Sequence, residues 1–228
     1  MKLLIIIPAY NEAENIVRVV EELKEIVPQY DYVIVNDGSK DETAKLCREK
    51  GFNLIDLPVN LGLAGAVQAG MRYACEMGYD AAIQFDADGQ HDPRYIQAMV
   101  ERLGDKCDMV IGSRFVDERR PHTLRMLGNV IIETAVRLTT GKHLSDPTSG
   151  MRMYGHELMR RFAYEMNYGP EPDTISYLLR NGVSMQEVQV TMRERVAGES
   201  YLNLARSVRY MAQMCISILI VQRFRKGD

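Results

Sequence analysis

Two aspartates separated by one residue stand at the end of an apolar run, in Phe85-Asp86-Ala87-Asp88-Gly89-Gln90. On a chain leaving a strand, carboxylates at this spacing can both reach one divalent cation, and hard oxygen ligands suit Mg²⁺ or Mn²⁺. Such an ion keeps open positions that phosphate oxygens fill. The same pattern also fits a solvated acidic turn. A calcium loop of the EF-hand type is excluded, because its sixth and twelfth positions would be His91 and Gln97 where that loop needs Gly and Glu. A second stretch, Asn60-Leu61-Gly62-Leu63-Ala64-Gly65, places glycines before a predicted helix that runs to about Cys75. Backbone N–H groups there suit a phosphate or a sugar, although a plain strand-to-helix turn has the same composition.

These residues need a scaffold that brings them to one edge. Leu3–Ile7, Tyr32–Val35, Asn53–Leu57, Ala81–Phe85 and Met109–Ile111 are short apolar runs without alternation, as for strands covered on both faces. Between the first two, Ile16, Val19, Val20, Leu23 and Ile26 repeat with helical spacing. This β-α-β-α order predicts a mostly parallel, Rossmann-like sheet with helices on both sides, whose ligand crevice lies beyond the carboxyl ends of the strands. Pro8–Glu12, Asn36–Ser39 and Asp86–Gln90 all fall at that edge. Further along, helices are expected over about Thr123–Thr140 and Asp173–Arg180, a turn-rich segment over Asp146–Tyr154, and a strand over Ser184–Val190.

At 228 residues the chain suits one α/β domain. Its formal net charge of -3 argues against a nucleic-acid binder. Cys47, Cys75, Cys107 and Cys215 form no CxxC pair and read as free thiols in a reducing compartment. The apolar run after Lys2 meets Pro8 too soon to be a signal-peptide core, so a cytoplasmic location is expected.

Taken in order, Pro8-Ala9-Tyr10-Asn11-Glu12, Val35-Asn36-Asp37-Gly38-Ser39, Asn60-Leu61-Gly62 and Phe85-Asp86-Ala87-Asp88 resemble family-2 glycosyltransferases. Gly112-Ser113-Arg114-Phe115, Asp146-Pro147-Thr148-Ser149-Gly150-Met151-Arg152 and Glu194–Ser200 look like the branch that transfers sugars to polyprenyl phosphates, typified by dolichyl-phosphate mannosyltransferase. The resemblance implies a glycosyltransferase-A fold, a nucleotide diphosphate sugar as donor, Mg²⁺ or Mn²⁺, and inversion at the anomeric carbon. It assigns Pro8, Tyr10, Glu12, Val35 and Asp37 to the nucleoside and Asp86 to the ribose and sugar. Asp88 and Gln90 would hold the metal, and Arg114, Arg125, Ser149, Arg152 and Arg195 would meet the acceptor phosphate or the donor pyrophosphate. Where the mannosyltransferase pattern has a lysine this chain has Tyr201, so GDP-mannose does not carry over as the donor.

A lipid phosphate is anionic at neutral pH and attacks without a base, whereas a sugar hydroxyl must lose a proton. Asp173, in Glu171-Pro172-Asp173, is therefore the candidate base if the acceptor is a hydroxyl of a glycan or lipid-linked saccharide. Asp88, Arg114 and Asp173 are the catalytic candidates. Residues 1–200 are expected to form the catalytic domain, with a donor half to about 115 and an acceptor part over about 116–200. Residues 201–228 would form an amphipathic basic helix with Leu204, Val208, Met211, Cys215, Ile218 and Leu219 along one stripe. From Arg193 to Lys226 there are seven basic residues against two acidic ones. That helix is expected to lie on the inner face of the cell membrane as a peripheral contact; packing on the domain and pairing with another copy are its alternatives. The resemblance adds a small membrane-anchor protein as a partner.

Overall fold

The computed structural model describes residues 1–104, 107–118, 120–121, 124–165, 169–194 and 204–221, with backbone alone at 124, 125 and 204–208. The strands are β1 (Leu3–Ala9), β2 (Asp31–Asn36), β3 (Leu54–Asp56), β4 (Ala81–Gln84), β5 (Met109–Ser113), β6 (Arg152–Gly155) and β7 (Met185–Gln189). The helices are α1 (Ile16–Ile26), α2 (Thr43–Glu49), α3 (Gly62–Glu76), α4 (Ile96–Arg102), α5 (Leu124–Thr140), α6 (His156–Tyr164), α7 (Pro172–Arg180) and α8 (Leu204–Ile216), the last running into a π-type turn at Ser217–Val221. All seven strands join in one sheet of order β3-β2-β1-β4-β6-β5-β7. Every pairing is parallel except the two made by β6.

Strand β1 shows why these residues make a central strand. Side chains alternate between faces along a strand. Leu3, Ile5 and Ile7 pack with Ile16, Val19, Val20 and Leu23 of α1, and Leu4 and Ile6 pack with Ala66, Val67 and Met71 of α3. Each of these isoleucines, removed from water, contributes roughly 1.5–3 kcal/mol. On the α3 side Gly70 lies against the Ile6 side chain, where a Cβ would overlap it, so the glycine inside that helix sets its distance from the sheet.

The turn-rich reading of Asp146–Tyr154 needs correction at its end. After a turn through Gly150, β6 inserts antiparallel between β4 and β5, with Arg152 beside both Gln84 and Ile111. An antiparallel strand begins where its parallel neighbours end. The loop entering β6 is thereby delivered to the same edge as the loops leaving β1, β2, β4 and β5.

The C-terminal helix also differs from its expected form. Met211 and Ile218 of the apolar stripe, with Met214, turn inward onto Ile132, Ala135 and Val136 of α5 and Leu179 of α7. Gly128 permits this close approach, since a Cβ there would overlap Met211 Sδ. Met211 and Ile218 thus dock the helix on its own domain, while Leu219 of the same stripe is exposed. Among the described residues no helix is long and apolar enough to cross a membrane.

Candidate active site

Because Ala9 of β1 pairs with Asn36 of β2, the loops that follow them meet. The Asp37 N–H donates to the Ala9 carbonyl at 2.9 Å, the Asn11 N–H to Ser39 Oγ at 2.9 Å, and Asn11 Oδ1 accepts from the Lys40 N–H at 2.8 Å. Asn11 holds φ 56°, a left-handed conformation that an amide side chain tolerates better than most. Gly38, at φ 64°, meets the next loop so closely that a Cβ would stand 2.7 Å from Asn60 N and Val59 C. From that loop the Leu61 N–H donates to Asp37 Oδ1 at 2.7 Å and Asn60 Nδ2 to the Asp37 carbonyl at 3.1 Å. Asn15 Nδ2 donates to Glu12 Oε2 at 2.9 Å. Tyr10, Glu12 and Asp37 thus stand on one stitched rim, while Pro8 and Val35 are buried cross-strand neighbours beneath it.

Beyond β4 the acidic pair is held by groups that no motif had singled out. Gln84 Nε2 donates to Asp86 Oδ1 at 3.1 Å, and the Asp86 N–H donates to His91 Nδ1 at 3.0 Å. A neutral imidazole that accepts at Nδ1 carries its proton on Nε2. That nitrogen lies 3.6 Å from Asp86 Oδ2, with the ring buried edge-on against Phe85. Gly89, at φ 77°, makes the turn that lets the Gln90 N–H donate to Asp88 Oδ1 at 3.0 Å. Gln90 Nε2 donates to the Arg193 carbonyl at 3.2 Å, and the Arg193 N–H returns a bond to the Gln90 carbonyl at 2.9 Å. Arg193 then bridges Glu22 of α1 at 2.6 Å and Asp92 at 3.1 Å. Burial raises the Asp92 pKa, but its bonds to Arg94 and then Arg193 outweigh that and hold it at about 2.

Arginines gather on the far side of Asp86. Arg114 Nε and Nη2 donate to the two oxygens of buried Asp146 at 2.6 and 2.9 Å. Asp146 also accepts from Asn129 Nδ2 at 2.8 Å and Thr148 Oγ1 at 2.9 Å. Burial raises the Asp146 carboxyl, yet Arg114 and the hydroxyl and amide donors together hold it below the usual carboxylate range. The N–H groups of Ser145 and Asp146 donate to Glu187 of β7 at 2.8 and 2.9 Å, fixing the loop from beneath. Ser149 is buried with its hydroxyl on the Gly112 carbonyl, so it shapes this loop from within. Arg152 is only 1% exposed, and its guanidinium donates to the carbonyls of Ser149 and Pro147 at 2.8 and 3.0 Å. No carboxylate among the described residues forms an ion pair with it. The two halves of the site touch at Gly150, where a Cβ would stand 2.8 Å from Asp86 Oδ2.

Asp173 lies in the first turn of α7 and accepts from Ser217 Oγ at 2.7 Å, while Glu171 accepts from the Tyr210 hydroxyl. The docked C-terminal helix therefore holds the Glu-Pro-Asp corner. The Arg125 side chain and Arg195 lie outside the described residues. Sequence reasoning passed over His91, Gln84, Asn129, Glu187 and Arg193. His91 follows the acidic motif directly, which was a usable signal; the others are brought in by contacts distant in sequence.

The donor set is compatible with a divalent cation. Asp86 and Asp88 provide hard oxygens on one turn, and Gln90, whose Nε2 is engaged, keeps a carbonyl oxygen as its ligating group. Among the described residues no three acidic, histidine or cysteine side chains could hold an ion by themselves. Such a set matches a cation shared with substrate phosphates.

Comparison with known proteins bears on the same residues. The chain is 31% identical over 215 residues to an undecaprenyl-phosphate mannosyltransferase of Micrococcus luteus, covering 89% of this chain and 88% of that one. It is 29% identical over 211 residues to a UDP-N-acetylglucosamine–dolichyl-phosphate N-acetylglucosaminyltransferase of Methanococcus voltae, covering 82% and 83%. In fold it is similar to glucosyl-3-phosphoglycerate synthase of Mycobacterium tuberculosis solved with Mn²⁺ and UDP-glucose, at a TM-score of 0.67, 18% identity, and coverage of 100% and 80%. The glycosyl transferase family 2 model matches residues 4–166, which runs from β1 through α6 and takes in both the acidic turn and the arginine loop. On that match and on this architecture, the chain belongs to glycosyl transferase family 2 and is a glycosyltransferase.

Proposed function

We propose that this enzyme moves a hexose or N-acetylhexosamine from a nucleotide diphosphate sugar to a polyprenyl phosphate, with inversion, at the inner face of the cell membrane. One observation carries the reading. The acidic turn that would hold the cation touches, through its Asp86, the loop of Arg152, a buried guanidinium bonded to two carbonyls and to no carboxylate among the described residues. Burying a charge without a counter-charge is costly. Phosphate oxygens from donor or acceptor would offset that cost in the place where a cation would neutralise the departing diphosphate. The relatives support a polyprenyl phosphate as acceptor, and their different sugars leave the donor sugar open.

Roles follow from position. Tyr10, Glu12 and Asp37 would cradle the nucleoside over the floor of Pro8 and Val35, and Asp86 would orient the ribose and sugar. Asp88 and Gln90 would hold Mg²⁺ or Mn²⁺, which when bound supplies charge neutralisation to the diphosphate. Arg114, oriented by Asp146, together with Arg125, Arg152 and Arg195, would align the acceptor phosphate for in-line attack. Ser149 keeps that loop in shape. A small membrane protein would anchor the enzyme near its lipid.

The lipid phosphate arrives as an anion, so no general base is needed. Asp173, held by Ser217, fits an anchoring role better than proton abstraction. The test incubates purified enzyme with undecaprenyl phosphate, Mn²⁺ and a panel of nucleotide sugars. A lipid-linked product is expected, and Asp173→Asn should keep kcat within about tenfold. If only a saccharide acceptor is glycosylated and Asp173→Asn loses several orders of magnitude, a hydroxyl acceptor with Asp173 as base replaces this reading.

A further inference from the structure

With Met211 and Ile218 turned inward, another apolar surface is left facing out. On α5, Leu127, Val130, Ile131 and Leu138 are exposed, Leu138 by 75%. At 3.6 residues per turn, positions 127, 131 and 138 fall within about 40° of one another and 130 lies about 60° to one side. Thr134, also exposed, completes the row. A quarter to half turn round the same helix are Gly128, Ile132, Ala135 and Val136, which receive Met211 and Ile218. Docking there sets the end of α8 and its π-type turn beside the row on α5. That end exposes Ile216, Leu219, Ile220 and Val221.

Two adjoining elements thus present eight large aliphatic side chains to the outside, more than scattered surface hydrophobics account for. Exposed cations flank them on both elements. Arg137, Lys142 and Arg209 are exposed. Glu133, the only acid within α5, is paired with Arg120 and His143. An apolar band fringed with cations matches the boundary layer of an anionic bilayer, where aliphatic groups enter the acyl region and basic groups meet lipid phosphates.

We infer that the outer row of α5 and the Ile216–Val221 turn form one membrane-docking face for an anionic bilayer. Of the α8 stripe it takes in Leu219 alone, Met211 and Ile218 being turned onto α5. Asn129, on the same α5, donates to Asp146 and Thr148 of the arginine loop. Docking through α5 therefore holds that loop at a fixed height above the lipid. The inference rests on the lipid acceptor only for its purpose, and its test needs neither donor nor acceptor.

The chain has no tryptophan, so a single Leu138→Trp reports its own surroundings. Emission of Leu138→Trp should shift to the blue and be quenched by brominated lipid on adding phosphatidylcholine vesicles that contain phosphatidylglycerol, and much less with phosphatidylcholine alone. Ile131→Glu with Leu138→Glu should lower partitioning onto the anionic vesicles at least tenfold, leaving the melting temperature and turnover of a short, water-soluble polyprenyl phosphate unchanged. An unshifted Leu138→Trp spectrum, or wild-type vesicle binding by the double variant, overturns the inference. So does a wild-type dimer in solution that the double variant converts to monomer, since the face would then belong to a second copy. Loss of sugar transfer to every polyprenyl phosphate, with vesicle binding intact, would overturn the proposed reaction and leave this face standing.

Discussion

Gly150→Ala adds one methyl group at the point where the acidic turn meets the arginine loop. Gly150 has no left-handed backbone to protect, so alanine brings no conformational penalty of its own. The new Cβ would stand 2.8 Å from Asp86 Oδ2, with Asp86 Cγ and Gln84 Nε2 each 3.7 Å away. A carbon and a carboxylate oxygen rest near 3.3 Å, so the clash of about 0.5 Å falls on one atom of Asp86. The carboxylate cannot simply slide, because Gln84 holds Oδ1 at 3.1 Å and His91 holds the backbone N–H at 3.0 Å. Turning Asp86 about 30° off its rotamer costs about 0.5–1.5 kcal/mol. Losing the charge-assisted bond from Gln84 adds about 1.5 kcal/mol. Together these are about 2–3 kcal/mol, or roughly 30- to 150-fold in kcat/KM for the donor, since 1.36 kcal/mol is a factor of ten. Steady-state kinetics with the donor varied, titration calorimetry of the nucleotide with Mn²⁺, and thermal melting separate the effects. Because both costs fall on the folded protein, the melting temperature should drop by about 4–12 °C as donor affinity and turnover fall. If Gly150→Ala keeps wild-type kcat/KM and nucleotide affinity, the orientation of Asp86 does not matter to the reaction and the reasoning fails.

Two further outcomes test the supports of the site. Asp146→Asn removes the charge that faces Arg114 and should cost about 3 kcal/mol at pH 7 by urea unfolding. Because the Asp146 carboxyl is held below its ordinary value of about 3.9, its stabilisation is complete above that pH and is lost as pH falls through the folded value. The gap between wild type and variant should therefore narrow below about pH 4, and a constant gap would show that the pair contributes nothing through charge. Gly128→Val drives a branched side chain into Met211 and should undock α8, costing about 1–3 kcal/mol and exposing that helix to limited proteolysis. A variant as protease-resistant as wild type would mean the helix docks elsewhere.

What could be read from the residues, and what could not, divides along a physical line. The carboxyl-edge position of Asp37, Asp86 and Asp88 was legible because apolar runs in an α/β chain fix the direction of each strand, and polar residues just beyond them share an edge. β6 was not legible, because its first residue is an arginine whose burial depends on carbonyls in its own preceding loop. No hydropathy pattern encodes that. Amphipathic spacing in the last helix was equally plain, yet spacing says only that one face leaves water. Here Gly128 decides which surface receives it, by letting Met211 reach α5, and the decision moves the exposed apolar surface onto a helix that sequence reasoning had treated as part of the acceptor half. The same glycine thereby links two properties that look independent in the sequence. A substitution that lifts α8 off α5 would uncover Ile132, Ala135 and Val136 beside Leu127, Ile131 and Leu138, widening the apolar face while freeing Asp173 from Ser217. Membrane affinity and the anchoring of the Glu-Pro-Asp corner should therefore change together in Gly128→Val and separately in Ile131→Glu with Leu138→Glu, which leaves the docked helix in place.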